Sequence, residues 1–218
     1  MGILFGIGSI CFALGSFRPY FEHYSPAFVA ATFFVGSIFF TTASYIQFRE
    51  CSRASGDDEP DGPPAGTRRR LLAWRPRNVD WWAAAVQLVG TVFFNISTFG
   101  GTRTDFDLDQ QKHLIWAPDV LGSICFLVAS ALAFSEVNRG WRPRSDASLG
   151  WRIGGLNMLG SVAFGVAAIA ARYLPTTGEP ANIRLINLGT FAGAICFLVG
   201  AALLPVQSAR DARTASAV

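Results

Sequence analysis

The chain reads as an all-α polytopic membrane bundle, with six transmembrane helices arranged as three repeated hairpins. Three observations predict this. First, 51% of the 218 residues are hydrophobic and 15% are charged, with mean hydropathy +0.34, whereas soluble domains carry about 25% charge. Second, the apolar residues gather into six runs at or near the ~20 residues that cross a hydrocarbon core. Third, one pentapeptide recurs in every run. It appears as Gly8-Ser9-Ile10-Cys11-Phe12, Gly36-Ser37-Ile38-Phe39-Phe40, Gly90-Thr91-Val92-Phe93-Phe94, Gly122-Ser123-Ile124-Cys125-Phe126, Gly160-Ser161-Val162-Ala163-Phe164 and Gly193-Ala194-Ile195-Cys196-Phe197.

The first run, residues 2–17, is short for a span. A signal peptide competes with that reading, with Ala13-Leu14-Gly15 as its cleavage site. The absence of a basic leading segment and the presence of the repeat favour a span. A second span covers 26–47. Ser, Gly, Pro and Asp dominate between Cys51 and Gly66, a composition that cannot bury a core and predicts a linker. The basic stretch Arg68–Arg70 that ends the linker suits a membrane surface. Spans three to six are predicted at 81–100, 114–136, 153–171 and 185–205. Trp81, Trp82, Trp116, Trp141 and Trp151 fall near their ends, as in aromatic belts. Helices are required because a backbone in lipid must satisfy its own hydrogen bonds.

The repeat is longer than five residues. Trp74-Arg75-Pro76-Arg77 precedes spans three and four, and Trp141-Arg142-Pro143-Arg144 precedes spans five and six. The unit is therefore a two-helix hairpin. Hairpins occupy 1–50, 74–140 and 141–206, with a linker at 51–73 and a tail at 207–218. Twelve Arg residues flank the ends that would hold both termini, against five basic residues at the opposite ends. The positive-inside rule then places both termini in the cytoplasm of a multi-pass plasma-membrane protein, and the hairpins are parallel repeats rather than inverted ones.

Small residues stand at each repeat glycine and again seven positions later, as in Gly8 and Gly15 or Gly160 and Ala167. Seven residues are nearly two helical turns, so both lie on one face. Such seams let helices approach closely in lipid. Gly8, Gly36, Gly90, Gly122, Gly160 and Gly193 are thus expected to be packing positions, with each following Phe filling the groove beside them.

These paired Gly-Ser-Ile-x-Phe helices with short connections resemble the YrhK-like domain, a two-helix bacterial membrane module of unknown function. The resemblance covers all three hairpins and implies no activity and no site residues. Triplication and the long linker depart from it.

Candidate chemistry centres on Asp119, the only carboxylate well inside a predicted span. Intramembrane acids are functional candidates. A plainer reading has Asp119 cap the helix that begins beside Pro118. The position three before each repeat glycine reads Phe5, Phe33, Gln87, Asp119, Asn157 and Thr190. Because the helices alternate in direction, Gln87 and Asn157 fall in one half of the bilayer, and Asp119 and Thr190 in the other. Asn95 and Asn187 are expected to join the Asp119 side. Interhelical hydrogen bonding or a narrow solute path would each use such residues.

Other signals are weaker. Cys11, Cys125 and Cys196 share one repeat position but read as small hydrophobes rather than a metal site. Asp105-Phe106-Asp107-Leu108-Asp109 lacks the Gly and Glu of a calcium loop. No phosphate loop, nucleophile elbow or zinc-protease motif is present. The reading expects no cofactor, metal centre or nucleic-acid partner, and it ranks an enzyme third because no acid–base or nucleophile pair is visible. It leaves a packing, oligomerising or partner-binding module in membrane lipid, self-associating or bound to another membrane protein, with a small-solute or ion transporter as the alternative.

Overall fold

The computed structural model describes residues 1–54, 77–138, 140 and 148–215, and it is all helical. Helix α1 covers Gly2–Ser16, α2 Arg18–His23 and α3 Pro26–Ala54. Helix α4 covers Val79–Gly100, and a short α5 (Leu108–Gln111) leads through a π turn at Lys112–Trp116 into α6 (Ala117–Val137). Helices α7 (Leu149–Ala170) and α8 (Ile183–Ala215) complete the chain. Most of the linker and the Trp141-Arg142-Pro143-Arg144 stretch lie outside the described residues.

Five helices are long and apolar enough to cross a membrane: 26–52, 79–100, 108–137, 149–170 and 183–210. Helix α1 is shorter. Its 15 residues extend about 22 Å at 1.5 Å per residue.

Helix boundaries overrun the predicted spans at their polar ends. Helix α3 continues through Ala54, and α8 through Pro205 to Ala215, where a tail was expected. The span predicted to begin at 114 begins at Leu108, because Asp107 and Gln110 form a reciprocal capping box. Asn78 and Ser148 cap α4 and α7 by accepting from the backbone N–H of Trp81 and Trp151. Each cap satisfies donors that the first helical turn leaves unpaired.

The long helices form a closed ring. Helix α1 packs on α3, α3 on α4, α4 on α6, α6 on α7, α7 on α8, and α8 returns to α1. Three of these pairs cross at facing glycines. A Cβ built on Gly8 would lie 3.0 Å from the Gly36 carbonyl oxygen, one on Gly122 3.1 Å from that of Gly90, and one on Gly193 2.9 Å from that of Gly160. No larger residue fits such crossings without forcing the helices apart.

Each position of the pentapeptide has one environment. The residue after glycine is at most 3% exposed in all six copies: Ser9, Ser37, Thr91, Ser123, Ser161 and Ala194. The next residue, Ile10, Ile38, Val92, Ile124, Val162 or Ile195, is 37–51% exposed. The final Phe is buried every time. Among the described residues the largest fully buried side chains are hydroxyl-bearing, namely Thr91, Ser9, Ser37, Ser44 and Ser161, while the Ile and Val of the pentapeptide face outward. A soluble bundle buries its branched aliphatics. A small polar seam inside an aliphatic exterior is the arrangement that lipid favours.

The buried hydroxyls are satisfied locally or across helices. Ser9 donates to the Phe5 carbonyl at 2.8 Å. Ser37 and Thr98 share a hydrogen bond of 2.9 Å between α3 and α4, and Ser130 and Ser161 one of 2.8 Å between α6 and α7.

Candidate functional site

Six phenylalanines close the axis of the ring in two tiers. Phe12, Phe94 and Phe164 form one triangle, with ring centroids 5.8–6.4 Å apart. Phe40, Phe126 and Phe197 form the other, at 5.8–6.3 Å. The tiers are joined through Phe12–Phe40, Phe94–Phe126 and Phe164–Phe197, at 5.1–5.5 Å. Each Phe also lies against the glycine of its partner helix, as Phe40 does at Gly8 and Phe12 at Gly36. The spacing of Gly and Phe thus places the helix crossing and the axial plug at one level.

A cavity opens on either side of this plug. Toward the termini, a small space of ≈ 80 Å³ is lined by Phe5, Gln47, Gln87 and Asn157 above the Phe40, Phe126 and Phe197 tier. Gln87 reaches Ser44 Oγ and Gln47 Oε1 at 3.4 Å each. Asn157 turns its Oδ1 toward Gly200, where a Cβ would stand 2.9 Å away. Toward the opposite loops, a cavity of ≈ 240 Å³ is lined by Phe33, Asp119 and Thr190 above the Phe12, Phe94 and Phe164 tier, with Ser97, Thr98 and Ser123 in its wall. All six helices of the ring contribute to that lining.

The residues three before each repeat glycine therefore divide by depth. Phe5, Gln87 and Asn157 share one cavity, and Phe33, Asp119 and Thr190 share the other. Asn95 and Asn187 do not line the cavity of Asp119. The Asn95 amide donates to Thr41 Oγ1 at 2.8 Å across the α3–α4 contact. Asn187 lines a separate ≈ 450 Å³ groove with Phe17, Arg18 and Phe191.

Asp119 is not the cap of its helix. The helical run starts at the Asp107 cap of α5, and Asp119 lies twelve residues farther on, about 18 Å along the helix. The π turn just before it has a local cause. Pro118 has no N–H to give the Leu114 carbonyl, and the Ala117 N–H bonds to Lys112 instead of residue 113. The Leu114 carbonyl comes so close to α4 that a Cβ on Gly100 would lie 2.9 Å from it. Wide turns of this kind often mark functional positions. The Asp119 side chain makes no hydrogen bond or ion pair to any described residue, and it faces the cavity half-buried.

The loop between α7 and α8 is tied near this end of the ring. The Leu174 N–H donates to the Glu179 carbonyl at 2.8 Å, and Gly178 takes φ +70° in the turn. Burial raises the Tyr173 phenol above its ordinary value, and the charges of Asp119 and Glu179 raise it further.

Cys11 and Cys125 flank separate glycine crossings, at Gly36 and Gly90. Among the described residues no three His, Cys, Asp or Glu side chains form a metal-binding group. The Phe tiers and the Ser97, Thr98 and Ser123 wall were not singled out as a site from sequence. Their signal was the seam itself, read as packing. Comparison with family models, curated proteins and solved structures finds no match to this chain.

Proposed function

We propose that the chain is an integral membrane module of six spans, formed by three copies of one hairpin. It lies in the plasma membrane with both termini cytoplasmic and acts by packing and binding rather than by catalysis. The observation that carries this reading is the double Phe tier at the centre of a closed ring. Six glycines and six rings meet there, so the repeat builds a sealed core rather than an open pore. Helix α1 counts as the sixth span because its glycine crossing is the same as the other two. The likeness to YrhK-like hairpins belongs to this proposal and adds no activity. The outward Ile and Val rows suit lipid, a second copy or another membrane protein.

The test is solute flux through proteoliposomes containing the purified chain, combined with protease protection of tags at both termini. A sealed vesicle with both tags on one face is expected. Sustained flux of ions or small polar solutes, or tags on opposite faces, would overturn the reading. Small-solute passage is a second reading, favoured by the two polar-lined cavities that face each other across the plug. It requires the Phe tiers to separate.

A further inference from the structure

The loop-end cavity has features that simple packing does not use. A seam built only to pack would fill the space beneath its third equivalent position as Phe33 does, where a Cβ on Gly15 would meet the Phe33 ring at 2.6 Å. Asp119 and Thr190 hold the other two equivalent positions and leave a cavity of ≈ 240 Å³ between them. We propose that this cavity binds a small alkylammonium cation of the choline or tetramethylammonium type. The Asp119 carboxylate would supply the countercharge, and Phe12, Phe33, Phe94 and Phe164 the aromatic surround.

Size, charge and ligand chemistry converge on this class. An apolar cavity of about 150 Å³ holds benzene, and drug-sized ligands occupy about 300–1,000 Å³. A space of ≈ 240 Å³ therefore suits a compact ion with few heavy atoms. Among the described residues, Asp119 is the only charged one in its lining. A carboxylate in such surroundings favours a cation, and a desolvated ring face attracts a quaternary ammonium.

A hard metal ion fits less well. It requires about six oxygen ligands, and the lining offers a single carboxylate, with only the hydroxyls of Ser97, Thr98, Ser123 and Thr190 as further side-chain oxygens. An alkylammonium needs one counterion and an aromatic surround, and Asp119 and four Phe side chains line this cavity. The inference goes beyond the packing role and does not depend on it, since a sealed bundle can bind at one end.

The experiment is calorimetric titration of the full chain in phosphatidylglycerol nanodiscs with choline and with 3,3-dimethyl-1-butanol, its uncharged isostere. Choline is expected to bind at least about tenfold more tightly than the alcohol. Asp119→Asn, checked for an unchanged melting profile, is expected to abolish that preference. Equal binding of the two compounds to the unaltered protein would overturn the proposal without reference to any variant. So would a preference that survives Asp119→Asn, or no choline binding at millimolar concentration. A parallel titration in nanodiscs containing phosphatidylcholine assigns the source. Competition identifies a lipid headgroup as the ligand, and unchanged affinity identifies a free cation. Vesicle flux is read separately, so failure here leaves the sealed-module reading standing.

Discussion

Glycine crossings give the sharpest test of the packing, because helix α7 contains its own control. Gly160 and Gly165 are five residues apart in one helix. Replacing either with Ala gives the same gain in intrinsic helix preference, about 1 kcal/mol in water, so that gain cancels when the two variants are compared. Their surroundings differ. A Cβ at Gly160 would meet Phe197 at 2.9 Å and the Gly193 carbonyl at 3.1 Å, whereas a Cβ at Gly165 meets nothing within 4 Å. Carbon atoms rest about 3.5 Å apart or more, so roughly 0.6 Å must open at Gly160. The Phe197 ring cannot swing aside freely, because Phe40, Phe126 and Phe164 surround it. Overpacking of this kind costs about 1–3 kcal/mol, or about five- to 150-fold in the folding equilibrium. Unfolding by sodium dodecyl sulfate in mixed micelles, followed by circular dichroism, measures the difference. Gly160→Ala is expected to be the less stable variant by that margin. Equal stability, or a more stable Gly160→Ala, would refute the claim that close backbone approach holds these helices.

Three other outcomes follow from the geometry. Phe126→Ala removes a ring that touches both tiers and should cost about 3–5 kcal/mol. The same variant should leak small ions in proteoliposomes where the unaltered protein does not. Thr98→Val deletes the shared hydrogen bond with Ser37 and should lower stability by about 0.6 kcal/mol, with 1.7 kcal/mol as the upper bound from such bonds in membranes. The Tyr173 phenol is held above its usual 10.0, so its stabilising contribution is complete below that pH and is lost as pH rises through the folded-state value. Ultraviolet titration should show one phenol ionising late, identified by its loss in Tyr173→Phe and shifted back toward the ordinary value in Asp119→Asn.

Much of the helix pairing could be read from residue types. Gly8 and Gly36, or Gly160 and Gly193, occur at a spacing that only close helix contact explains. The depth of Gln87 against Asp119 followed from alternating helix direction alone. What could not be read was the meeting of six Phe side chains from different hairpins, because a repeat specifies its own unit and not how units close on one another. The start of the helix at Leu108 was hidden for another reason. Asp109, Gln110, Gln111 and Lys112 dilute the apolar run, although Asp107 and Gln110 carry the spacing of a capping box. That polar first turn moved the apparent helix start to 114 and made Asp119 look terminal. Asn95 and Asn187 were grouped by depth, yet depth says nothing about which face of a helix a side chain occupies.

If the ring is three copies of one hairpin, as proposed, its symmetry bears on why one chain holds all of them. A trimer of separate, identical hairpins would have to repeat its choice at every equivalent position. Three copies of the Asp119 helix would bring three like charges into one ≈ 240 Å³ space, and three copies of the Phe33 helix would fill it. Joining the hairpins in a single polypeptide frees each copy to diverge. One position can then be a ring, one a hydroxyl and one a carboxylate, while the glycines and plug phenylalanines that hold the assembly stay the same. An off-centre charge within a threefold scaffold is something a trimer of identical hairpins cannot have.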